Sequence, residues 1–458
     1  MATSKNISLK HKVAHYLSMV GAGIIVFSLI AILAAPKLYG AGFPGNLHGF
    51  AEFAYGARFG DSRTDHPHYN LFEQRGQLKF TQYPEKPAIL ADWNSIFTFK
   101  GEFLLDEYRN GSPSVFYKYR KDESRASLYL RELNMSISPN PNLDLKVGRQ
   151  ILTWGTGDYL FINDVFPKDY VSFFSGRDDE YLKAPSWAVK ASYFGKLFWT
   201  DAVIIPVFEE NKTVDGSRLS FFDPFQVRYV GKDSSITKEG RPSKLRNTQE
   251  AFRFYGQRGS TEWAFYLYHG FYTNPRGVKN PYTCTIYYPK LNVYGFSVRG
   301  PFIRGIGSLE VGYLDSREDR AGDNPFIPNP SIKTLFGYSQ DMGNDLTLGF
   351  QWRYEQMLKY GRYKRTLPPG SIRLDEHQHL FTFSANKKFL NQTLYFNNFL
   401  FYSPTDKDGY FRTSLAYDVT DNTKVTLGAN YFWGDYKYTE FGQLKNNKNI
   451  YLRLRYSF

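Results

Sequence analysis

The sequence predicts an all-β fold: a transmembrane antiparallel up-and-down β-barrel of about 18 strands, with 16 as the nearest alternative, preceded by a helical signal peptide. Three observations predict it: an aromatic content at odds with the mean hydropathy, segments of alternating character from Leu47 to the last residue, and an apolar N-terminal stretch behind a lysine cluster. Aromatic residues make up 18% of the 458 residues, with 36 Tyr and 40 Phe, yet mean hydropathy is −0.46. A soluble core hiding that many rings needs a more apolar average. A membrane barrel reconciles the two, because lipid-facing and lumen-facing residues alternate along each strand and their hydropathies cancel. Aromatic girdles at both membrane interfaces use the Tyr and Phe.

The N-terminus comes first in chain order. Lys5, Lys10 and Lys12 precede an essentially uncharged stretch over residues 16–35, and small residues follow at Gly40, Ala41 and Gly42. This is the pattern of a secretory signal cleaved near Ala41, so 1–41 is read as signal peptide and 42–458 as barrel. A permanent membrane helix is the competing reading, since twenty apolar residues can span a bilayer. The strand pattern that follows at once favours the signal. No Cys follows the apolar stretch to carry a lipid anchor, and the single Cys284 allows no intrachain disulfide.

The strand pattern is clearest at the C-terminus. Ile450, Leu452, Leu454, Tyr456 and Phe458 share one face, and Tyr451, Arg453, Arg455 and Ser457 the other. A terminal strand ending in Phe458 resembles the C-terminal signal of outer-membrane barrels, which implies recognition by the barrel-assembly machinery. Working backward, similar segments lie at 424–433, 410–418, 393–403, 376–387, 345–355, 332–340, 306–315, 290–300, 261–271 and 248–257. Further segments lie at 197–207, 186–194, 142–155, 124–138, 95–106, 70–82 and 47–59. Their even number puts both termini on the periplasmic side. Short turns such as 138–141 and 194–196 are then periplasmic, and the long connections extracellular or folded into the pore, with 156–185 and 208–247 as the candidates for inward folding. A further strand-like stretch at 224–230 is assigned to a loop to keep parity. About six residues separate the cleavage site from the first strand, so no N-terminal plug is expected.

If the apolar faces meet lipid, the opposite faces line the lumen. Arg75, Lys79, Lys146, Arg253, Arg353, Arg412, Arg453 and Arg455 supply its basic side, with Glu52, Glu73, Glu310 and Glu355 among its acids. Basic residues outnumber acidic ones on these faces, and removing the four lysines of 1–41 from the formal +13 leaves +9 on the mature chain. Rings of Arg and Lys raise the local anion concentration, so anionic solutes are expected to be preferred; the alternative is that opposed charges merely pair across the lumen. Basic residues are read as scattered and without a run, so no nucleic-acid partner is expected. The acidic run Asp178-Asp179-Glu180 is read as a solvated loop edge, or as bridging Ca²⁺ or lipopolysaccharide.

Residues 148–170 carry the one motif. They contain Gly148-Arg149-Gln150, Trp154-Gly155, Asp158, Asp164, Pro167 and Asp169. This resembles the G-R-Q-x-x-x-W-G-x-x-D…D-x-x-P-x-D signature of the alginate-export-like outer-membrane porins of Gram-negative bacteria. The resemblance implies a monomeric barrel of about eighteen strands, often with an arginine-lined pore passing anionic polymers or small acids. Phe166 stands where the family usually has Asn. Physically, Arg149 is expected to pair with Asp158 or Asp164 and pin the loop at the pore mouth.

No catalytic set is recognisable: GxSxG, P-loop, GxGxxG and HExxH motifs are missing. The pairs His66/His68 and His377/His379 lack Cys or a carboxylate set, so no metal and no cofactor is expected. The expected function is a porin-type channel in the outer membrane for small or polymeric solutes. The expected partners are outer-membrane lipid and lipopolysaccharide. The rivals are a structural barrel that anchors or sheathes an electron-transfer or secretion complex and, less favoured, an outer-membrane hydrolase.

Overall fold

A computed structural model describes residues 46–59, 69–83, 94–107 and 124–458; the signal segment 1–41 and the His66/His68 pair lie outside the described residues. Eighteen strands form one antiparallel sheet. In chain order they are β1 (Asn46–Arg58), β2 (Tyr69–Gln82), β3 (Asn94–Glu107), β4 (Ser124–Asn140), β5 (Leu143–Ile151), β6 (Pro185–Phe194), β7 (Trp199–Ile205), β8 (Gln249–Arg258) and β9 (Thr261–Phe271). They continue with β10 (Lys290–Phe302), β11 (Gly305–Ser316), β12 (Ser331–Asp341), β13 (Leu346–Met357), β14 (His377–Phe389), β15 (Leu394–Ser403), β16 (Asp408–Asp418), β17 (Thr423–Gly434) and β18 (Asn449–Ser457).

Each strand pairs with its sequence neighbours, and β18 returns to β1 in the register Phe50↔Ser457 through Arg58↔Asn449. Pairing continues to the last residue: Phe458 N–H donates to Gly49 O at 3.0 Å, and Gly49 N–H to Phe458 O at 2.9 Å. The sheet therefore has no edge, and every strand finds backbone partners on both sides, as a bilayer demands. The strand-like stretch near 224–230 stays outside the ring: Arg228–Val230 pairs only with Phe221–Asp223.

The outer face records where the apolar zone ends. Phe252, Leu267, Tyr294 and Tyr313 lie in register across β8 to β11 and are exposed outward. Two residues nearer the long-loop end, Glu250, His269, Asn292 and Asp315 form the next outward row. His269 Nδ1 lies 3.0 Å from Asn292 Oδ1, and Asn292 Nδ2 donates to Asp315 Oδ2 at 3.1 Å. An apolar row, three of its four members aromatic, giving way to a hydrogen-bonded polar row within one strand repeat marks the step from hydrocarbon to headgroup level.

The inside is less polar than strand alternation implies. Leu160, Ile162, Phe173, Phe174 and Leu182 from residues 152–184, with Leu219, Phe221 and Val230 from residues 206–248, bury themselves against Leu335, Leu380, Phe401, Tyr410 and Phe432 of the wall. A second cluster packs Trp154 and Phe166 on Val203, Tyr266, Tyr268, Leu291 and Leu314. Both long segments thus run inside the ring, held by apolar contacts to inward faces that sequence alternation reads as purely polar. Two short helices, Tyr170–Phe174 and Tyr360–Thr366, interrupt the loops.

Candidate functional site

The site is built where residues 152–184 cross the lumen. The strand expected over 142–155 ends at Ile151, and the chain turns inward through Gly155, whose φ is +81°. A Cβ at that position would lie 2.9 Å from Glu310 Oε1, so glycine meets both the positive φ and the crowding. Glu310, on β11, grips the turn with both oxygens. Oε2 accepts the Thr156 N–H at 2.7 Å and its hydroxyl at 3.0 Å, while Oε1 accepts the Asn163 N–H at 2.7 Å. Trp154 stacks edge-on against Phe166, with centroids 4.9 Å apart; the departure at Phe166 therefore fills an apolar socket.

The expected pairing of Arg149 with Asp158 or Asp164 does not form. Arg149 Nη1 lies 2.6 Å from Glu209 Oε1, and its Nε donates to Leu130 O at 2.8 Å. Asp164 is satisfied within its own segment, by Lys168 at 2.9 Å and the Thr153 hydroxyl at 2.9 Å, while Asp158 accepts from Gln351 Nε2 at 3.2 Å. Arg149 thus ties down the second inward loop and not the first. Pro167 closes the base of the first loop, its carbonyl accepting Ala184 N–H at 3.0 Å.

Asp169 caps the helix Tyr170–Phe174 by accepting the Ser172 N–H at 2.8 Å. The helix drives Phe173 and Phe174 onto Tyr410, with centroids 5.8 and 5.5 Å away. Beyond it the acidic run faces a ladder of strand-borne cations. Arg455 Nη1 bonds Asp178, Arg412 Nη1 donates to Asp179 Oδ1 at 2.8 Å, and Lys100 lies 3.5 Å from Glu180. Arg131 donates to the carbonyls of Glu180 at 2.6 Å and Lys183 at 2.8 Å. Burial pushes the Asp178 carboxyl up, but Arg455 and Arg453 outweigh it and hold the group below the usual aspartate value. Burial likewise works against ionised Glu180, and Lys100 leads the groups that pull it below the ordinary value. Burial raises Asp158 and dominates there. The run keeps about half of each side chain exposed, as a solvated edge does, and at the same time pairs with the cations of the wall.

Two buried carboxylates organise the ladder. Glu52 sits among Arg75 and Arg453, each at 3.4 Å, and Arg455, whose Nε donates to it at 2.7 Å. Glu73 accepts Arg177 Nη2 and Arg218 Nη1, each at 2.6 Å. Those two arginines belong to different inward loops, so one carboxylate on β2 clamps both.

Two cavities remain beside the loops. A cavity of about 1790 Å³ opens toward the short-turn end, and Lys79, Arg412, Arg453 and Arg455 line it. A second of about 870 Å³ lies toward the long loops and includes Arg353. Tyr159 and Leu182 line both and so stand at the boundary between them, the candidate neck; the Tyr159 hydroxyl bonds Asp179. Of the remaining sequence-selected cations, Arg75 is buried against the Tyr181 ring at 4.0 Å, and Arg253 pairs with Asp201 at 2.7 Å. Arg75, Lys146 and Arg253 line neither cavity. Around the larger cavity seven basic and seven acidic side chains balance, so its polarity comes from placement: most of the bases lie on the wall, and four of the acids on the crossing loop. Tyr159 and Leu182 carry no signal in the sequence, whereas the acidic run Asp178-Asp179-Glu180 was visible there but not its pairing with the cations of the wall. Among the described residues no group of His, Cys, Asp and Glu is arranged to hold a metal.

No protein-family model matches the sequence, and no curated protein matches it. Solved structures do. OccAB1 of Acinetobacter baumannii aligns at 10% identity with a TM-score of 0.52, over 90% of this chain and 96% of its own. OccD3 of Pseudomonas aeruginosa aligns at 9% identity and a TM-score of 0.51, over 91% of each chain. OccAB3 of Acinetobacter baumannii gives 10% and 0.50, over 90% of this chain and 99% of its own. At these identities the likeness is one of fold, and that fold is a closed eighteen-stranded antiparallel β-barrel.

Proposed function

We propose that the protein is a porin-type channel of the bacterial outer membrane, through which small or polymeric polar solutes diffuse. One observation carries the reading: within a closed ring, inward loops narrow the lumen without filling it, leaving two cavities that meet at Tyr159 and Leu182. Closed antiparallel barrels with an even strand number and an apolar outer band are the outer-membrane architecture. A barrel of this size encloses an aqueous lumen unless something plugs it. The sequence motif at 148–170 adds support for an alginate-export-like channel, and the +9 charge of residues 42–458 supports a preference for anions. Since the larger cavity's own charges balance, the preference we expect is modest. No catalytic role is proposed for any residue.

Planar-bilayer recording of the purified protein under a salt gradient tests this. Discrete conductance steps with a reversal potential on the anion side are the expected result; silence, or a cation-side potential, contradicts the channel or its sign respectively. A sheath for a partner complex predicts no conductance until the partner is removed.

A further inference from the structure

The connection between β13 and β14 breaks the expectation that basic residues form no run. Lys359, Arg362, Lys364, Arg365 and Arg373 fall within residues 359–373, which contain no acid. All five are exposed, and among the described residues none of them has an ion-pair partner; the Arg362 guanidinium donates to the Ala321 carbonyl at 3.4 Å. Elsewhere in the described residues cations find carboxylates readily, from buried Lys333–Glu355 at 2.9 Å to exposed Arg228–Asp233 at 2.7 Å. With Asp375 and Glu376 where it returns to β14, the connection carries a net charge of +3, and its exposed cations hold a positive potential that an anion relieves.

The loop is also rigidly displayed. Met357 N–H donates to Glu376 O at 2.8 Å across its base. Tyr360 and Tyr363 then staple the helix Tyr360–Thr366 to the returning chain: the Tyr363 hydroxyl accepts the Leu374 N–H at 3.1 Å, and the Tyr360 hydroxyl donates to the Leu374 carbonyl at 3.2 Å. Ile372 and Leu374 remain exposed beside the cations, at 39% and 47%. Directly below, on the outward faces of β13 and β14, Trp352 stacks on His379 at 6.0 Å and Tyr354 on His377 at 5.9 Å, with rings 8° and 10° from parallel. Such a ring stack on the outside of a barrel is an interfacial girdle. A fixed cluster of cations with two greasy side chains, one step above that girdle, stands at headgroup height.

We propose that this loop is a docking site for the phosphate groups of an outer-leaflet glycolipid, with Ile372 and Leu374 resting on the lipid's apolar margin. The proposal rests on the outer-membrane reading above. Cations near an anionic membrane surface each contribute about fivefold to binding, so removing three weakens it on the order of a hundredfold.

The experiment compares wild type with R362A/K364A/R365A in phosphatidylcholine nanodiscs doped with diphosphoryl lipid A, with dephosphorylated lipid A, or with neither plus inorganic phosphate. Lipid retained per barrel is read by native mass spectrometry. Single-channel conductance of both proteins at high salt verifies that the variant folds. The proposal expects wild type to retain diphosphoryl lipid A, the variant to lose it on the order of a hundredfold, and the dephosphorylated lipid to bind neither. Equal retention by the two proteins overturns it. Equal protection of the loop from proteolysis by inorganic phosphate alone overturns the lipid as source and leaves a soluble-anion site. A variant that keeps its lipid but loses low-salt conductance also overturns it, since the cations then serve the pore mouth. If both proteins are silent in bilayers while the phosphate-dependent retention persists, the channel reading fails and the lipid site stands.

Discussion

Replacing Glu73 by Gln should loosen both inward loops at once. Glu73 is fully buried and bonds Arg177 of one loop and Arg218 of the other. Removing the charge leaves two guanidinium groups with little access to water. Unpairing one partner of a buried ion cluster costs about 3–5 kcal/mol, even where the intact cluster adds little net stability. Gln still accepts one hydrogen bond, and Arg177 keeps the Ser172 hydroxyl at 2.9 Å, so the lower end, about 3 kcal/mol, applies. At about 1.4 kcal/mol per decade, local opening should become about a hundredfold more frequent. Amide exchange on the folded barrel reads this directly, in peptides spanning 172–180 and 216–221. Glu239→Gln is the matched control, because its pair with Lys279 is half exposed and worth at most about 1 kcal/mol. Unchanged exchange at both loops in Glu73→Gln would refute the clamp.

Three further outcomes follow from the constriction. Replacing Asp178 and Asp179 with Asn removes two acids facing the cavity, taking one of Arg455's two carboxylate partners and the carboxylate partner of Arg412; at about 1 kcal/mol per charge at contact in water, the anion-to-cation permeability ratio should rise several-fold, measured as a reversal-potential shift. Gly155→Ala puts a methyl against Glu310 at a positive φ and should cost about 1–3 kcal/mol of loop docking, seen as faster exchange over 155–163. Acidification should act in order. Asp158, raised by burial, takes its proton first. Asp178 and Glu180, held low despite burial, contribute docking stability above their unfolded values, and that contribution is lost only as pH falls through the lowered ones. Anion preference should therefore grow as acidification neutralises these groups in turn; a preference that falls on acidification contradicts the assignment.

The strands were legible because period-two alternation is a local property. The terminal strand shows it: Ile450, Leu452 and Leu454 face outward, while Tyr451 and Arg453 are buried inside. The inward loops were not legible in detail, since their contacts join residues far apart in sequence. Arg412 and Asp179 are 233 positions apart, and no spacing rule pairs them. Glu73 and Glu310 carry the same alternation signal as a pore liner, yet both are consumed in anchoring loops. Arg149 illustrates the opposite error: nearby motif acids looked like its partners, while the guanidinium points across to Glu209 on the other inward segment. The basic segment 359–373 was visible in the sequence, though its rigid display through Tyr360 and Tyr363 was not.

The central claim is that solute crosses the ring through the neck at Tyr159. Cysteine substituted there, in a background where Cys284 is Ser, can be modified with a bulky methanethiosulfonate reagent during single-channel recording. A stepwise drop in conductance should follow addition of the reagent and be reversed by a reductant. Conductance that ignores the modification would mean that current takes another path, and the assigned constriction would be wrong.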